Sequence, residues 1–304
     1  MNIVEEIKKL KREKGAVILA HYYTLPEVQD IADCKGDSLN LSRYAQNTDA
    51  EVIVFAGVHF MAETAKILNP DKRVFIPDMA SHCSLADSCP ADEFRAFRES
   101  HPDHKVISYI NCSAEVKALS DVICTSGNAE KVVGSFSKDE RLIFAPDRNL
   151  GGYLSKKLGR EMLLWDGGCH VHYQLDEDDY FEVREKYPDA AFIAHPECRE
   201  SLLRHAEFVG STTALINYVE KSGNKTFIIA TEEGVLHEMG KRTSGKQLVI
   251  LKKKRNPGSF CAYMKKNSLE KIYACLHDEV NELFMDTELM EKARKPILRM
   301  LSIS

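Results

Sequence analysis

Short apolar, β-branched runs closed by turn or polar residues recur along the chain. They predict eleven strands, ending near residues 20, 56, 76, 110, 124, 145, 165, 194, 209, 230 and 251. Helical spacing of apolar positions falls between them, as in Met61–Leu68, Ala129–Phe136 and Thr213–Val219. The opening stretch MNIVEEIKKLKREKG reads as an amphipathic helix with charges of both signs. Strands that alternate with helices imply parallel sheets covered by helices on both faces.

The strand ends repeat. Those at 110, 124, 145 and 165 recur at 194, 209, 230 and 251, offsets of 84 to 86 residues. The same step backwards lands close to 20, 56 and 76, while the slot near 39 holds a helical-looking segment, Leu39–Ala45, in place of a strand. The expected fold is therefore α/β, with three pseudo-symmetric three-layer αβα units built on small parallel sheets around a central site. The expected units span 1–82, 83–168 and 169–258, with a tail at 259–304 packing back on the first.

Composition narrows the classes. The 304 residues are 44% hydrophobic and 29% charged with a net charge of −5, so no basic footprint for nucleic acid or an anionic membrane is expected. The one strong basic run is Lys252–Arg255, read as a solvated strand end. Apolar runs such as Ala16–Ala20 and Val52–Ala56 fall far short of the ~18 residues of a spanning helix, and the N-terminus is not a signal peptide. A cytoplasmic protein with reduced thiols is expected. The nine cysteines form no CxxC pair, which favours a metal or cluster site, or buried thiols, over a disulfide framework.

Ligands of open parallel sheets bind beyond the carboxyl ends of the strands. After the first strand of each unit come His21 and Tyr23, then Tyr109 and Asn111, then His195 and Glu197, all with i, i+2 spacing. A second set in register is Ser38, Ser126 and Ser211, each just before a helical pattern, with Thr212 beside the last. Such serines cap helix starts, and helix starts also hold anions. A third set is Cys83, Cys169 and Cys261, one after the last strand of each unit. Three converging thiolates favour zinc or an iron–sulfur cluster. Zinc would add a histidine such as His82, His170 or His172; a cluster would keep one iron open. No GxGxxG, GxxxxGK[ST], HExxH or GxSxG occurs, so dinucleotide, P-loop, zincin and serine-hydrolase readings lose their support.

Taken in order, the segments AHYYTLPEVQDIAD, GDSLNLS, GVHFMAETAKIL, YINCSAEVKA, CTSGNA, APDRNLG, GGCHVH, AHPEC, VGSTT and CAYMKKN resemble those of the quinolinate synthase family, over nearly the whole chain. The resemblance implies condensation of iminoaspartate with dihydroxyacetone phosphate to quinolinate in NAD biosynthesis. The imine would come from an L-aspartate oxidase or dehydrogenase. It implies one 4Fe-4S cluster on Cys83, Cys169 and Cys261, whose open iron serves as a Lewis acid. It also implies substrate contacts at His21, Tyr23, Ser38, Tyr109, Asn111, Ser126, His195, Glu197 and Thr212, with His172 facing the site. Glu197, Tyr23 and Tyr109 are then the acid–base groups, aided by His195 and His172. The paired cysteines that some relatives carry near the C-terminus as a redox switch are absent.

Overall fold

Three four-stranded sheets, all parallel, carry the chain in a computed structural model that describes residues 2–252 and 259–303. The first contains β1 (Ala16–His21), β2 (Cys34–Gly36), β3 (Val52–Ala56) and β4 (Arg73–Phe75). The second contains β5 (His104–Tyr109), β6 (Val122–Cys124), β7 (Arg141–Ala145) and β8 (Leu163–Leu164). The third contains β9 (Ala191–Ala194), β10 (Phe208–Val209), β11 (Thr226–Ala230) and β12 (Gln247–Ile250). Each sheet has the spatial order second, first, third, fourth. Connections therefore leave in opposite directions from the first and third strands, and the crevice between those two is where such sheets bind ligands.

All eleven expected strands are present, with ends within one residue of the expected positions. The slot near 39 is a correction. A strand does fill it, β2, in parallel register with β1 (Leu19↔Cys34, His21↔Gly36), and the helix Ser38–Asn47 follows. Its three residues, Cys-Lys-Gly, lack the β-branched side chains that mark a strand, and as an edge strand it needs no buried second face. In the basic run, Lys253–Arg255 lie outside the described residues.

The alternation of side chains along each strand builds the layers. Leu19, Ile53, Phe55, Ile107, Phe144, Ile193, Phe227 and Ile229 point into one core shared by all three sheets. Their neighbours point the other way into separate cores: Ile18 and Val54 in the first unit, Val106 and Ile143 in the second, Phe192 and Ile228 in the third. Because both faces are buried, the strands read as nearly unbroken apolar runs. The shared core draws the sheets together, so their strand ends converge. The tail divides its packing: the helix Leu269–His277 lies on the first unit's N-terminal helix, whereas Thr287–Ile303 lies mainly against β6 and the helix Ala114–Ala118 of the second. Among the described residues no helix is long and apolar enough to cross a membrane.

Candidate active site

Side chains at or just beyond strand ends of all three sheets bound one central cavity of about 60 Å³, room for a few waters. All three i, i+2 pairs reach it: His21 and Tyr23, Tyr109 and Asn111, His195 and Glu197. So do His172, Cys83, Cys169 and Cys261. Among the described residues no Lys or Arg side chain lines it.

The first and third pairs share a local device. The Tyr23 backbone N–H donates to His21 Nδ1 (3.2 Å), and the Glu197 N–H donates to His195 Nδ1 (3.4 Å). A ring nitrogen that accepts carries no proton, so both imidazoles are neutral with the proton on Nε2. Burial agrees, since it pushes His21 down to about 4 and His195 down to about 3. His195 Nε2 lies 3.3 Å from Ser126 Oγ.

Glu197 heads a continuous hydrogen-bonded chain. Tyr109 donates its hydroxyl to Glu197 Oε1 (2.6 Å), and His172 Nδ1 meets Oε2 (3.0 Å). His172 Nε2 lies 3.0 Å from Thr231 Oγ1, which lies 2.8 Å from the Tyr23 hydroxyl, itself 2.8 Å from Thr212 Oγ1. Burial pushes the Glu197 carboxyl up, but the hydrogen bonds from His172 and the Tyr109 hydroxyl outweigh it and hold the group below its ordinary value. With Glu197 ionised, His172 Nδ1 must be the donor, and a neutral His172 then accepts from Thr231 at Nε2. Burial raises both phenols well above their ordinary value, so Tyr23 and Tyr109 enter the site as hydrogen-bond donors.

The serine set is less symmetric than its spacing. Ser211 does cap the helix Thr212–Lys221, accepting from the Ala214 N–H (3.3 Å). Its own hydroxyl, however, donates to Asp37 Oδ2 (3.1 Å), which also accepts from the Thr213 N–H, and Ser211 is not among the lining residues. An internal carboxylate from the first unit thus sits where an outside anion was expected. Asp37, not Ser38, caps the helix Ser38–Asn47. Ser126 lies two residues before the N-cap of the six-residue helix Ala129–Gly134, and Asn128 Oδ1 instead accepts from the Thr125 N–H (2.7 Å). Ser38, Ser126 and Thr212 do line the cavity, Ser126 against His195 and Thr212 against the Tyr23 hydroxyl.

The three cysteines come from three loops and line the same cavity. Burial and the neighbouring Cys261 thiol together push Cys83 up to about 12, burial pushes Cys261 up to about 11, and Cys169 is raised by burial, Glu197 and both partner thiols. As free thiols they are neutral at pH 7, and such a set becomes a good ligand set only when a metal displaces the protons. A soft three-thiol set lining one cavity fits an iron–sulfur cluster. Ligand atoms of Cys169, His172 and Glu197 also lie within 4.8 Å of one another.

Sequence reasoning missed Thr231, Asp37 and Glu232. Thr231 and Glu232 directly follow β11, so the rule that led to the first strands would have found them had it been extended to the third. Asp37 offered no signal, because the helix N-terminus it occupies lies 174 residues further on.

A profile of the family described as "Quinolinate synthetase A protein" matches residues 5–302. The chain is 55% identical over 306 aligned residues to the quinolinate synthase of Chloroherpeton thalassium, covering 100% of this chain and 95% of the relative. The same identity, with coverage of 100% and 96%, holds for the enzymes of that name from Thermosynechococcus vestitus, over 306 residues, and Synechocystis sp., over 304. A shared core of three parallel sheets, one cavity with a thiol from each unit, and likeness along the full length lead to one conclusion: the chain belongs to the quinolinate synthetase A family of enzymes.

Proposed function

We propose that the central cavity is where this chain joins iminoaspartate to dihydroxyacetone phosphate, as a condensing transferase of NAD biosynthesis. The products are quinolinate, one phosphate and two waters, and carbon, nitrogen, oxygen and hydrogen balance between the two sides. One C–C bond and one ring-closing bond to nitrogen form, and protons must leave carbon and reach departing oxygens. An L-aspartate oxidase or dehydrogenase would supply the imine. Cys83, Cys169 and Cys261 would hold a 4Fe-4S cluster, which when bound supplies a Lewis-acidic iron open to a substrate oxygen.

The observation that carries this reading is the hydrogen-bonded chain from Tyr109 through Glu197, His172 and Thr231 to Tyr23, beside the three thiols. A carboxylate–imidazole pair of this kind accepts a proton as a unit, with Glu197 orienting His172 and stabilising the charged ring. Thr231 and Tyr23 connect that ring to the far wall of the cavity. Substrate anions meet neutral donors: His21 at Nε2, and the hydroxyls of Ser38 and of Ser126, whose oxygen accepts from His195 Nε2. Buried donors aimed at fixed positions stabilise charge without arginine or lysine. The Asn111 Oδ1, buried and without a partner, would accept an N–H or O–H of substrate.

The Cys169–His172–Glu197 group favours a second reading, a single zinc site. It would take His172 and Glu197 out of the proton chain, since both His172 nitrogens already have partners. Metal and sulfide analysis of anaerobically purified protein separates the two. The expected result is about four iron and four sulfide per chain, with quinolinate formed from the two substrates. Changing Cys83, Cys169 or Cys261 to Ser should abolish both, while Cys34→Ser or Cys275→Ser should leave both. One zinc per chain without sulfide, and no quinolinate, would defeat the proposal.

A further inference from the structure

Two buried carboxylates stand in register two residues beyond the third strand of their units: Asp147 after β7 and Glu232 after β11, 85 residues apart. Both are fully buried. Each divides its two oxygens in the same way. Asp147 Oδ1 accepts from the Leu150 N–H at the start of the following helix (2.7 Å), and Oδ2 accepts from the Cys169 N–H (3.3 Å). Glu232 Oε2 accepts from the Gly234 N–H at the start of its helix (2.6 Å), and Oε1 accepts from the Cys261 N–H (3.0 Å).

We infer that Asp147 and Glu232 are positioning residues that clamp the loops bearing Cys169 and Cys261, each tying its cysteine amide to a helix start. This rests on the reading of those cysteines as cluster ligands. The residue type follows from the geometry. Two N–H donors arrive from different segments, and only a carboxylate offers two acceptor oxygens; Asn or Gln would turn an amide N–H₂ toward one of them. Lys265 Nζ, 3.0 Å from Glu232 Oε1, balances the carboxylate charge in the third unit. Close approach in the second unit depends on Gly167, whose Cβ would come within 2.5 Å of the Pro146 carbonyl and of Ser88 Oγ. Arg148 N–H donates to the Gly167 carbonyl (3.0 Å), pinning the loop two residues before Cys169.

The first unit shows the alternative. Its corresponding residue is Val58, whose side chain has no acceptor, and the His59 N–H donates to the Ser81 carbonyl (2.7 Å). The Cys83 loop is tied sideways, by Ser84 Oγ to His170 Nδ1 (2.6 Å). Among the described residues no carboxylate accepts the Cys83 N–H.

Amide hydrogen exchange on the full-length, anaerobically isolated protein tests the clamp. In the unaltered chain the Cys169 and Cys261 amides should exchange at least tenfold more slowly than that of Cys83. Asp147→Asn should speed exchange at Cys169 about tenfold or more and leave Cys261 alone; Glu232→Gln should do the reverse. Each variant should also release iron to a chelator several-fold faster. Equal, rapid exchange at all three cysteines of the unaltered chain would overturn the clamp even if neither variant folds. So would unchanged exchange at the matching cysteine of a folded variant. Absence of iron and sulfide from the unaltered protein would defeat the cluster reading instead, and the exchange rates would still judge the clamp.

Discussion

The first and third units bring matching strand ends to the cavity and treat them differently. After the first strand both use one device, an imidazole that accepts the backbone N–H two residues on, His21 from Tyr23 and His195 from Glu197. After the third strand they diverge: Val58, with Phe60 and Met61, makes an apolar wall, whereas Thr231 joins the hydrogen-bonded chain and Glu232 accepts the Cys261 N–H. Short backbone turns can be copied between repeats because their hydrogen bonds close within a few residues. Chemistry is distributed unequally because one small cavity needs one polar wall, and each buried polar group needs partners that a second copy would lack.

The largest expected break in this comparison comes from the polar wall. Glu197→Gln should lower the rate of quinolinate formation by about 10²–10⁴, while iron and sulfide per chain stay unchanged. Tyr23→Phe, at the first unit's end of the same chain, should cost less, because Glu197 and His172 remain paired. Loss of iron in Glu197→Gln would mean that the carboxylate ligates metal. Normal turnover with a normal cluster spectrum would return Glu197 to a structural part.

Acid comes next. His21 is buried neutral, its pKa pushed down to about 4 by burial. The unfolded chain takes up that proton near 6.5 and the folded chain does not, so stability is undiminished above pH 6.5 and falls as pH drops toward 4. The loss across that window is about 3 kcal/mol. Denaturant titrations at pH 7 and pH 4.5 check it, and His21→Gln should flatten this part of the dependence. A pH dependence identical in the variant would refute the assignment.

The smallest effects distinguish the serines. Ser211→Ala should cost about 1 kcal/mol of stability, the usual value of a helix cap. Ser126→Ala should leave the melting temperature alone and raise KM, because its hydroxyl caps no helix and faces His195. Equal melting losses in the two variants would restore the symmetric reading of the set.

Much of this was legible from local pattern. Runs such as VIVFA and FIIA mark strands buried on both faces, and their spacing exposes the threefold repeat. The polar pairs stand out because they follow those runs directly. β2 escaped because Cys-Lys-Gly carries no apolar signal and is held only by pairing with β1. Thr231 escaped because a lone threonine after a strand is ordinary by itself.

The sequence alone determined eleven of the twelve strands, the three-unit repeat, and most candidate groups at strand ends, since these depend on hydrophobic periodicity and bonds between near neighbours. Tertiary structure decided which polar groups meet: Asp37 at a helix start 174 residues away, Tyr23 with Thr212 and Thr231, and Asp147 and Glu232 with the cysteine amides. The reason is physical. A buried polar atom takes the partner that packing brings within about 3 Å, and that choice is made only when the inner faces of the three sheets close on their shared core.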